Sequence, residues 1–363
     1  MKLVLFTFVL LLLRVCAEEI FEFNGDSHFE FGRQMGERFR DKIQDRMRLN
    51  SKLQTLLLPF ARTPAGRDLL NRYLTTHRAA FPKYMEELEG VAEGSGVPFE
   101  VIFIENIVEN SPIRFLPGVH VVAHNEDSGE VDVNRTAIVI AKIGDEPKFV
   151  AYTYLGDLPS GAFGFNENGV AFTLNFVQPA EIFVGGLGRG FISRDLLTAK
   201  TTEDAIAIIT RAGQAAGHNF QLMDVRTPRV WNIEVASFNR HVIYEYVNDG
   251  ENVSAFFHAN QYQRLHVAQP PYQSSLHRLR RYSQLTPPTT IDEALKVLGD
   301  QGDKSWPVFH DTLSHERGDL SGWTLTTIVF DLDEGEAVSF LGNPALRHKN
   351  LVWDLLDLTV QAC

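Results

Sequence analysis

The sequence predicts a single α+β domain in which helices and strands form separate layers. In the first hundred residues the apolar side chains recur with helical spacing. Strand-rich segments begin at residue 119 and continue to the C-terminal region, interrupted by further helical segments. No linker, internal repeat or low-complexity segment divides the chain. Blocks of helices and strands without a linker are typical of one layered α+β domain.

Helical segments are recognised by apolar residues that recur every three or four positions. The first follows the polar pair Asp26-Ser27, which can cap it, and a later one follows the cap Thr201-Thr202. Residues 101–108 fit either a helix or a buried strand. The predicted helices span residues 29–47, 66–80, 82–94, 191–199, 203–212 and 291–298.

Strand segments are short runs rich in β-branched and aromatic residues, bounded by turn residues. Two hairpins are indicated by the turns at residues 144–147 and 166–169, and the second turn ends in a glycine that accepts positive φ. A third hairpin surrounds residues 333–335. The predicted strands span residues 119–127, 137–143, 148–155, 162–165, 170–175, 219–224, 230–235, 241–246, 254–259, 325–332 and 337–341.

The first 17 residues predict a secretory signal peptide. Lys2 is followed by an apolar run over residues 3–13 and by the small-residue cleavage site Val15-Cys16-Ala17. The alternative is a membrane anchor, but the run is short of the ~20 apolar residues that a spanning helix needs. We therefore expect residues 18–363 to form the mature, secreted domain, without a membrane span.

Composition supports this view of a secreted globular protein. Hydrophobic residues make up 44% of the chain and charged residues 22%, as in ordinary globular domains. The formal net charge of −12 disfavours a nucleic-acid surface. Asn134 and Asn252 begin N-glycosylation sequons, which suit passage through the secretory pathway. We expect both to be glycosylated on exposed turns.

Three polar groups of residues follow or adjoin predicted strands. The first is His124-Asn125-Glu126-Asp127, in which alternation places only one pair of side chains toward any pocket. The second contains Asn260, whose amide offers the N–H donors that an oxyanion needs. The third contains Arg278, which can orient a carboxylate. Taken singly, each group also fits a plainer interpretation: a solvated turn, a buried turn asparagine and a basic helix surface.

Other chemical signatures are missing. His310 and His315 lack the spacing of a metalloprotease site and are predicted to be polar surface residues. The glycine-rich stretch at residues 185–190 lacks the lysine and the strand–helix context of a phosphate-binding loop. The sequence therefore predicts no metal site and no cofactor.

Taken in order, a series of short motifs resembles the family of penicillin acyl-transferase-like cysteine peptidases, which are N-terminal-nucleophile hydrolases. Within that family the chain is similar to the animal branch that includes an insect hydrolase of β-alanyl amides. The resemblance runs from Phe29 almost to the end of the chain. The matching motifs lie at residues 31–37, 87–96, 124–127, 164–175, 194–197, 258–260, 326–331 and 341–344.

The resemblance implies a four-layer αββα sandwich and a precursor that cuts itself before a cysteine. Residues 18–118 would correspond to the first subunit and residues 119–363 to the second. The cysteine thiol attacks an amide or thioester carbonyl, and its own α-amino group serves as base. The implied substrate is a small acyl-amine or peptide.

The resemblance also implies roles for individual residues. Asp127 would organise the nucleophile, Asn260 would donate to the oxyanion, and Arg278 matches the basic position that follows. The residues implied to line or support the substrate pocket are Asn125, Asn175 and Arg194.

The chain departs from the family at the nucleophile. The family places a Gly-Cys-Ser/Thr strand before the Asn-x-Asp strand, whereas here Gly118 runs directly into Val119 and the only cysteines are Cys16 and Cys363. We therefore predict that a strand and turn starting after Gly118 are absent, by exon skipping, deletion or a faulty gene model, and that this chain is inactive, either as an isoform of an active parent or as a true pseudoenzyme. Two alternatives remain: a protein that binds or scavenges acyl-amines, and an active hydrolase that uses Ser111 as nucleophile.

Overall fold

The computed structural model describes residues 18–107, 113–115, 120–246 and 256–362, and strands and helices are numbered in chain order. The strands are β1 (Glu19–Gly25), β2 (Ile113–Phe115), β3 (Val121–Ser128), β4 (Thr136–Ile143), β5 (Phe149–Tyr154), β6 (Phe163–Asn166), β7 (Val170–Val177), β8 (Gly217–Asp224), β9 (Arg229–Ala236), β10 (Arg240–Tyr246), β11 (Phe257–His258), β12 (Trp323–Asp331), β13 (Glu336–Phe340), β14 (Lys349–Asp354) and β15 (Val360–Ala362).

The helices are α1 (His28–Arg38), α2 (Arg40–Leu49), α3 (Leu58–Ala61), α4 (Pro64–Ala80), α5 (Pro82–Ser95), α6 (Phe99–Glu105), α7 (Arg189–Leu196), α8 (Thr202–Ile209), α9 (Gln273–Tyr282), α10 (Ile291–Leu298) and α11 (Thr312–Glu316). A π-helical turn at Leu53–Leu57 leads into α3. None of these helices is long and apolar enough to cross a membrane.

The described strands form two sheets. The first sheet has the order β1-β4-β5-β6-β7-β8-β9-β10, and the second has the order β11-β2-β3-β12-β13-β14-β15. Strand β1 pairs parallel to β4, and all the other pairings in both sheets are antiparallel. Antiparallel sheets of this kind bury one face against a neighbouring layer by alternation of side chains.

Buried apolar clusters define four layers. One cluster joins helices α1, α2 and α4–α8 to the outer face of the first sheet. A second lies between the two sheets and includes Val122, Phe165, Phe330 and Trp353. A third packs α10 on the outer face of the second sheet. The predicted α+β fold with an αββα order of layers is therefore confirmed.

Close helix packing explains two of the glycines in the sequence motifs. A Cβ atom added at Gly32 of α1 would lie 1.9 Å from the carbonyl oxygen of Glu87 on α5. One added at Gly90 of α5 would lie 2.1 Å from the carbonyl oxygen of Phe29. Only glycine permits the two backbones to approach this closely. The approach holds Glu87 beneath α1, where its carboxylate is fully buried.

Most of the predicted elements are confirmed, and the differences have local causes. Ser27 caps α1 as predicted, its side chain accepting from the backbone N–H of Glu30. The expected helix over residues 29–47 is two helices, because the backbone leaves the helical region at Phe39. Residues 101–108, which fitted either state, lie partly in α6. The edge strands β1 and β15, and β14 beside β15, were not predicted.

A short strand lies where the sequence analysis expects a missing one. The three residues of β2 pair antiparallel with β3 on one side and with β11 on the other. The second sheet is therefore continuous beside β3, although the chain carries no cysteine there. Ser111 lies outside the described residues.

Candidate functional site

Alternation along β3 sends its polar side chains in two directions. His124 and Glu126 point between the sheets, where His124 Nε2 lies 3.1 Å from Glu126 Oε2 and the Tyr154 hydroxyl donates to Glu126. Asn125 and Asp127 point to the opposite face. The prediction that the two pairs face apart is therefore confirmed.

Asn125 anchors β3 and does not line the site. Its amide nitrogen donates to the carbonyl oxygens of Leu298 and Val308 at 3.0 and 3.2 Å. Its oxygen accepts from the hydroxyl of Thr327 at 2.7 Å. Through these hydrogen bonds, the Asn125 amide holds the end of α10 and the following loop against the second sheet.

Asp127, Asn260 and Arg278 converge from three separate elements. Arg278 on α9 donates from Nη2 to Asn260 Oδ1 at 2.7 Å, and its Nη1 lies 4.0 Å from Asp127 Oδ2. The hydroxyl of Thr324 on β12 donates to Asp127 Oδ1 at 2.7 Å. The structure thus brings together the three residues that the sequence analysis assigns to catalysis.

Arg278 is buried at the centre of this group. Its side chain is only 4% exposed, and its Nε donates to the backbone carbonyl and the hydroxyl of Ser274. Burial lowers the pKa of Arg278 from its ordinary value, and the negative charge of Asp127 opposes this shift. A buried guanidinium with fixed partners is a preorganised donor for a ligand carbonyl or carboxylate.

The Arg278 contact also orients the Asn260 amide. Because Oδ1 accepts from Arg278, the nitrogen points away from the guanidinium and donates to the carbonyl oxygen of Phe176 at 2.9 Å. The amide therefore ties the segment after β11 to the end of β7. Its role as an oxyanion donor stays a prediction.

His310 was predicted to be a surface residue, and this prediction is wrong. The side chain is 2% exposed, and its Nε2 lies 3.8 Å from Asp127 Oδ2. Its Nδ1 lies 2.8 Å from Asp319 Oδ2. The spacing of the histidines shows only that they do not match a metal site. His310 is buried because the segment after α10 folds back beneath the end of β3.

Asp319 holds His310 in place. Burial alone would raise the pKa of Asp319, but hydrogen bonds from His310, Ser314 and the backbone N–H of Ser321 lower it below the ordinary value. An ionised Asp319 accepts the hydrogen on His310 Nδ1, which leaves Nε2 directed toward Asp127. The site therefore contains an imidazole that sequence reasoning missed.

These residues surround a cavity of about 410 Å³ at one end of the sandwich, where β3 and β7 end. Phe176, Pro270, Pro271 and Tyr272 give it an apolar wall, and Tyr272 is exposed at the rim. A volume of this size is within the usual range for small-molecule sites. The polar residues that line the cavity are Asp127, Ser128, Gln178, Asn260, Gln261, Ser274, Arg278, His310 and Ser321.

Asn175 and Arg194 lie elsewhere. Asn175 on β7 points between the sheets and is fully buried. Arg194 on α7 is fully buried in the helical layer, where its Nη2 lies 3.1 Å from Glu87 Oε2. Neither residue lines the cavity that Asp127 faces. The structure therefore does not bring these two predicted pocket residues together with the other three.

Arg194 belongs to a buried ion network. Glu87 also contacts His28, whose Nδ1 lies 3.0 Å from Glu87 Oε2 and whose Nε2 lies 3.2 Å from Glu146 Oε1. Burial would raise the pKa of Glu146, but the contacts with His28, Arg194 and Lys83 lower it to about 2. The network links α1, α5, α7 and the turn between β4 and β5.

His28 makes the stability of this network depend on pH. Burial would lower the pKa of His28, but its hydrogen bonds to Glu146 and Glu87 outweigh burial and raise the pKa. The pKa of His28 is therefore higher in the folded chain than in the unfolded chain, where it is about 6.5. Protonated His28 stabilises the fold fully below pH 6.5, and this stabilisation is lost as the pH rises through the folded-state pKa. Urea unfolding should show that the wild type loses more stability than His28→Gln between about pH 6 and 9. Identical pH profiles would contradict this.

Of the two predicted glycosylation sites, the structure describes only Asn134. Asn134 is exposed and adopts a left-handed conformation with φ of 60° in the turn before β4. Asn252 lies outside the described residues.

Within the described ranges, no group of three or more histidine, cysteine, aspartate or glutamate side chains is arranged to hold a metal ion.

The chain is similar in sequence to known proteins. The sequence profile of the acyl-coenzyme A:6-aminopenicillanic acid acyl-transferase family matches residues 117–346. The β-alanyl-dopamine/carcinine hydrolase of Drosophila melanogaster is 26% identical over 360 residues, which cover 88% of this chain and 92% of the relative.

Two solved structures are also similar. An N-acylethanolamine-hydrolyzing acid amidase ortholog from Caenorhabditis elegans has a TM-score of 0.44 and 11% identity, covering 70% of this chain and 99% of its own. Penicillin V acylase from Agrobacterium tumefaciens has a TM-score of 0.35 and 10% identity, covering 70% of this chain and 97% of its own.

The family match spans more than half of the 363 residues and includes the segments that carry Asp127, Asn260 and Arg278. The described residues of the chain form an αββα sandwich. The chain belongs to the acyl-coenzyme A:6-aminopenicillanic acid acyl-transferase family.

Proposed function

We propose that this chain binds small N-acyl amines in the cavity of Asp127, Asn260 and Arg278 and does not cleave their amide bond. We also propose that it acts outside the cell, after removal of residues 1–17, and is glycosylated at Asn134 and Asn252. Its relatives act on amide bonds, and one of them is named for β-alanyl-dopamine and carcinine. These two compounds are therefore the first ligands to test.

One observation carries the proposal: the polar core of the site is assembled, but the chain has no cysteine between Cys16 and Cys363, where the family resemblance places the nucleophile. Thiol catalysis requires a thiolate next to the scissile carbonyl. Cys16 lies within the predicted signal peptide, and Cys363 is the last residue of the chain. Without the nucleophile, the donors of the site can hold an amide but cannot form an acyl-enzyme.

The geometry supports binding by Arg278 in particular. Its guanidinium is rigidly placed by Ser274 and Asn260 at the wall of the cavity. A hydrogen bond to a charged donor contributes about 1.5–3 kcal/mol when the partner would otherwise be buried unsatisfied. The apolar wall of Phe176 and the two prolines can cover the aromatic ring of the amine part, and Tyr272 can stack on it at the rim.

Titration calorimetry with carcinine and β-alanyl-dopamine tests this proposal. We expect saturable one-to-one binding, weakened at least about tenfold in Arg278→Met because a charged hydrogen bond is lost. Arg281→Met is the matched control, since Arg281 lies on the same helix but pairs with Asp300 outside the cavity. Its affinity should equal that of the wild type.

Two results would overturn the proposal. One is the absence of binding of both compounds to the folded wild-type chain. The other is release of histamine or dopamine by the purified protein at a rate above that of a heat-denatured sample. Cleavage of the chain before Ser111 would favour the alternative of a serine nucleophile.

A further inference from the structure

The cavity contains a second chemical group besides Arg278, namely the buried pair of His310 and Asp319. The two side chains are 2% and 0% exposed, and His310 Nδ1 lies 2.8 Å from Asp319 Oδ2. His310 nevertheless lines the cavity. A histidine whose inner nitrogen is held by a carboxylate, and whose outer nitrogen faces a ligand site, is arranged as a general base. The binding of acyl amines proposed above makes no use of this group.

The His310 backbone is fixed to the second sheet. Its N–H donates to the hydroxyl of Thr324 at 2.9 Å, and its carbonyl oxygen accepts from the backbone N–H of Thr324 at 2.9 Å. The same Thr324 hydroxyl donates to Asp127 Oδ1. Thr324 therefore sets the imidazole and the Asp127 carboxylate side by side. Groups that are placed in advance in this way need little reorganisation when a reaction takes place.

His310 and Arg278 approach the same point of the cavity. His310 Nε2 lies 3.8 Å from Asp127 Oδ2, and Arg278 Nη1 lies 4.0 Å from the same oxygen. A ligand carbonyl that accepts from Arg278 therefore lies close to the imidazole, and a water beside that carbonyl can donate a hydrogen bond to His310 Nε2. The cavity thus offers a base for a water and a cation for an oxyanion.

These two groups meet the needs of a reaction that uses no thiol. Direct attack of water on a carbonyl requires a base, a donor for the oxyanion and a leaving group that departs without a proton. A phenolate meets the last condition, because the pKa of a phenol is about 10. The nitrogen of an amide does not, since it must be protonated before it leaves. The chemistry therefore favours aryl esters over amides.

The wall of the cavity fits the aromatic part of an aryl ester. Phe176, Pro270 and Pro271 line it, and Tyr272 lies at the rim. Apolar and aromatic side chains of this kind cover an aromatic ring favourably. With a volume of about 410 Å³, the cavity has room for a phenyl ester with a short acyl group.

We propose that this chain hydrolyses small aryl esters in the cavity, with His310 as general base, Asp319 as its positioning residue and Arg278 as the oxyanion donor. The water oxygen forms a bond to the ester carbonyl carbon while His310 Nε2 takes a proton from the water. The tetrahedral intermediate then expels the phenolate, which leaves with the electron pair of the broken C–O bond and takes the proton from His310. The products are one carboxylic acid and one phenol. This activity is additional to the proposed binding of acyl amines, whose amide bond stays intact.

Phenyl acetate and acetanilide test the activity, since they differ only in the ester oxygen or the amide N–H beside the ring. The purified wild-type chain should release phenol from phenyl acetate with saturation, and no aniline from acetanilide. We expect His310→Gln to lower kcat/KM for phenyl acetate at least about 100-fold, the scale of general-base catalysis. His315→Gln is the matched control, because His315 stacks on Trp323 outside the cavity. It should keep the wild-type kcat/KM.

Three measurements separate catalysis by His310 from a structural role. In His310→Ala, added imidazole should restore part of the phenol release, measured against His310→Gln in the same solution. Asp319→Asn should lower kcat more than it raises KM, because the imidazole can then adopt the wrong tautomer. The intact mass during turnover should show no acetylated protein, because water attacks the ester directly.

Carcinine distinguishes this inference from the proposed function. As a ligand of the same cavity, it should inhibit phenol release competitively. If phenol release depends on His310 but carcinine neither binds nor inhibits, the proposed function fails and this inference stands. If carcinine binds but the wild type releases phenol no faster than His310→Gln, only this inference is overturned. Acetylated protein during turnover would also overturn it, since the acyl group would then pass through a side chain.

Discussion

Arg194→Met is expected to destabilise the folded chain by about 3–5 kcal/mol, the cost of leaving a buried charge without its partner. Arg194 and Glu87 are both fully buried, and their side chains meet at 3.1 Å in the helical layer. The guanidinium also lies 4.7 Å from the ring centre of Phe149 and 4.8 Å from that of Tyr84. Urea unfolding followed by circular dichroism measures the change.

Two further variants test whether the loss comes from the buried pair. Arg33→Met removes an arginine whose partners Glu30 and Glu37 are on the surface of α1, and we expect it to cost less than about 1 kcal/mol. Adding Glu87→Gln to Arg194→Met should recover part of the stability, because the second change removes the buried carboxylate that then has only His28 to balance it. A loss in Arg194→Met no larger than in Arg33→Met would contradict this account of the network.

Introducing a thiol before β3 is expected to create the amide hydrolysis that we propose this chain lacks. The chimera replaces residues 107–119 by a segment that carries the Gly-Cys-Ser/Thr strand, which the family resemblance implies before the Asn-x-Asp strand. The new cysteine would adjoin β3, near Asp127, Asn260 and Arg278. We expect the chain to cleave itself before the cysteine and to hydrolyse carcinine. Enzymes typically reach rates ~10⁶-fold or more above the uncatalysed reaction, and we expect a rate on that scale.

A matched chimera with that cysteine changed to alanine controls for folding. It should show the same near-UV circular dichroism and the same ligand affinity, with neither cleavage nor hydrolysis. If the cysteine chimera folds and binds carcinine but stays uncleaved and inactive, then the loss of the nucleophile is not what separates this chain from active relatives.

The local elements could be predicted because their signals are local. Helix α10 occupies the predicted residues 291–298, and its cap Thr290 accepts from the backbone N–H of Glu293. The hairpins of β4–β5 and β6–β7 follow from turn residues between alternating runs. That Asp127, Asn260 and Arg278 belong to one site could be predicted only from the order of the motifs and the family resemblance, because the three residues lie on elements far apart in the chain.

The remaining features depend on long-range packing. His310 is buried only because the segment after α10 folds back beneath the end of β3, and no spacing within the sequence indicates this. Arg194 follows a family motif, but its partner Glu87 is 107 positions away on another helix. The buried Asn175 side chain has no hydrogen-bond partner among the described residues. This depends on the side chains that neighbouring strands place around it, so it becomes visible only in the assembled sheets.

We propose that the site binds its ligand without cleaving it, and one experiment on the wild-type chain, expressed with residues 1–17, tests this most directly. The purified protein is incubated with carcinine, its intact mass is measured, and free histamine is quantified in the same sample. We predict one unprocessed chain beginning at Glu18 and no histamine above the background of a heat-denatured control. Two chains, or steady release of histamine, would contradict the claim.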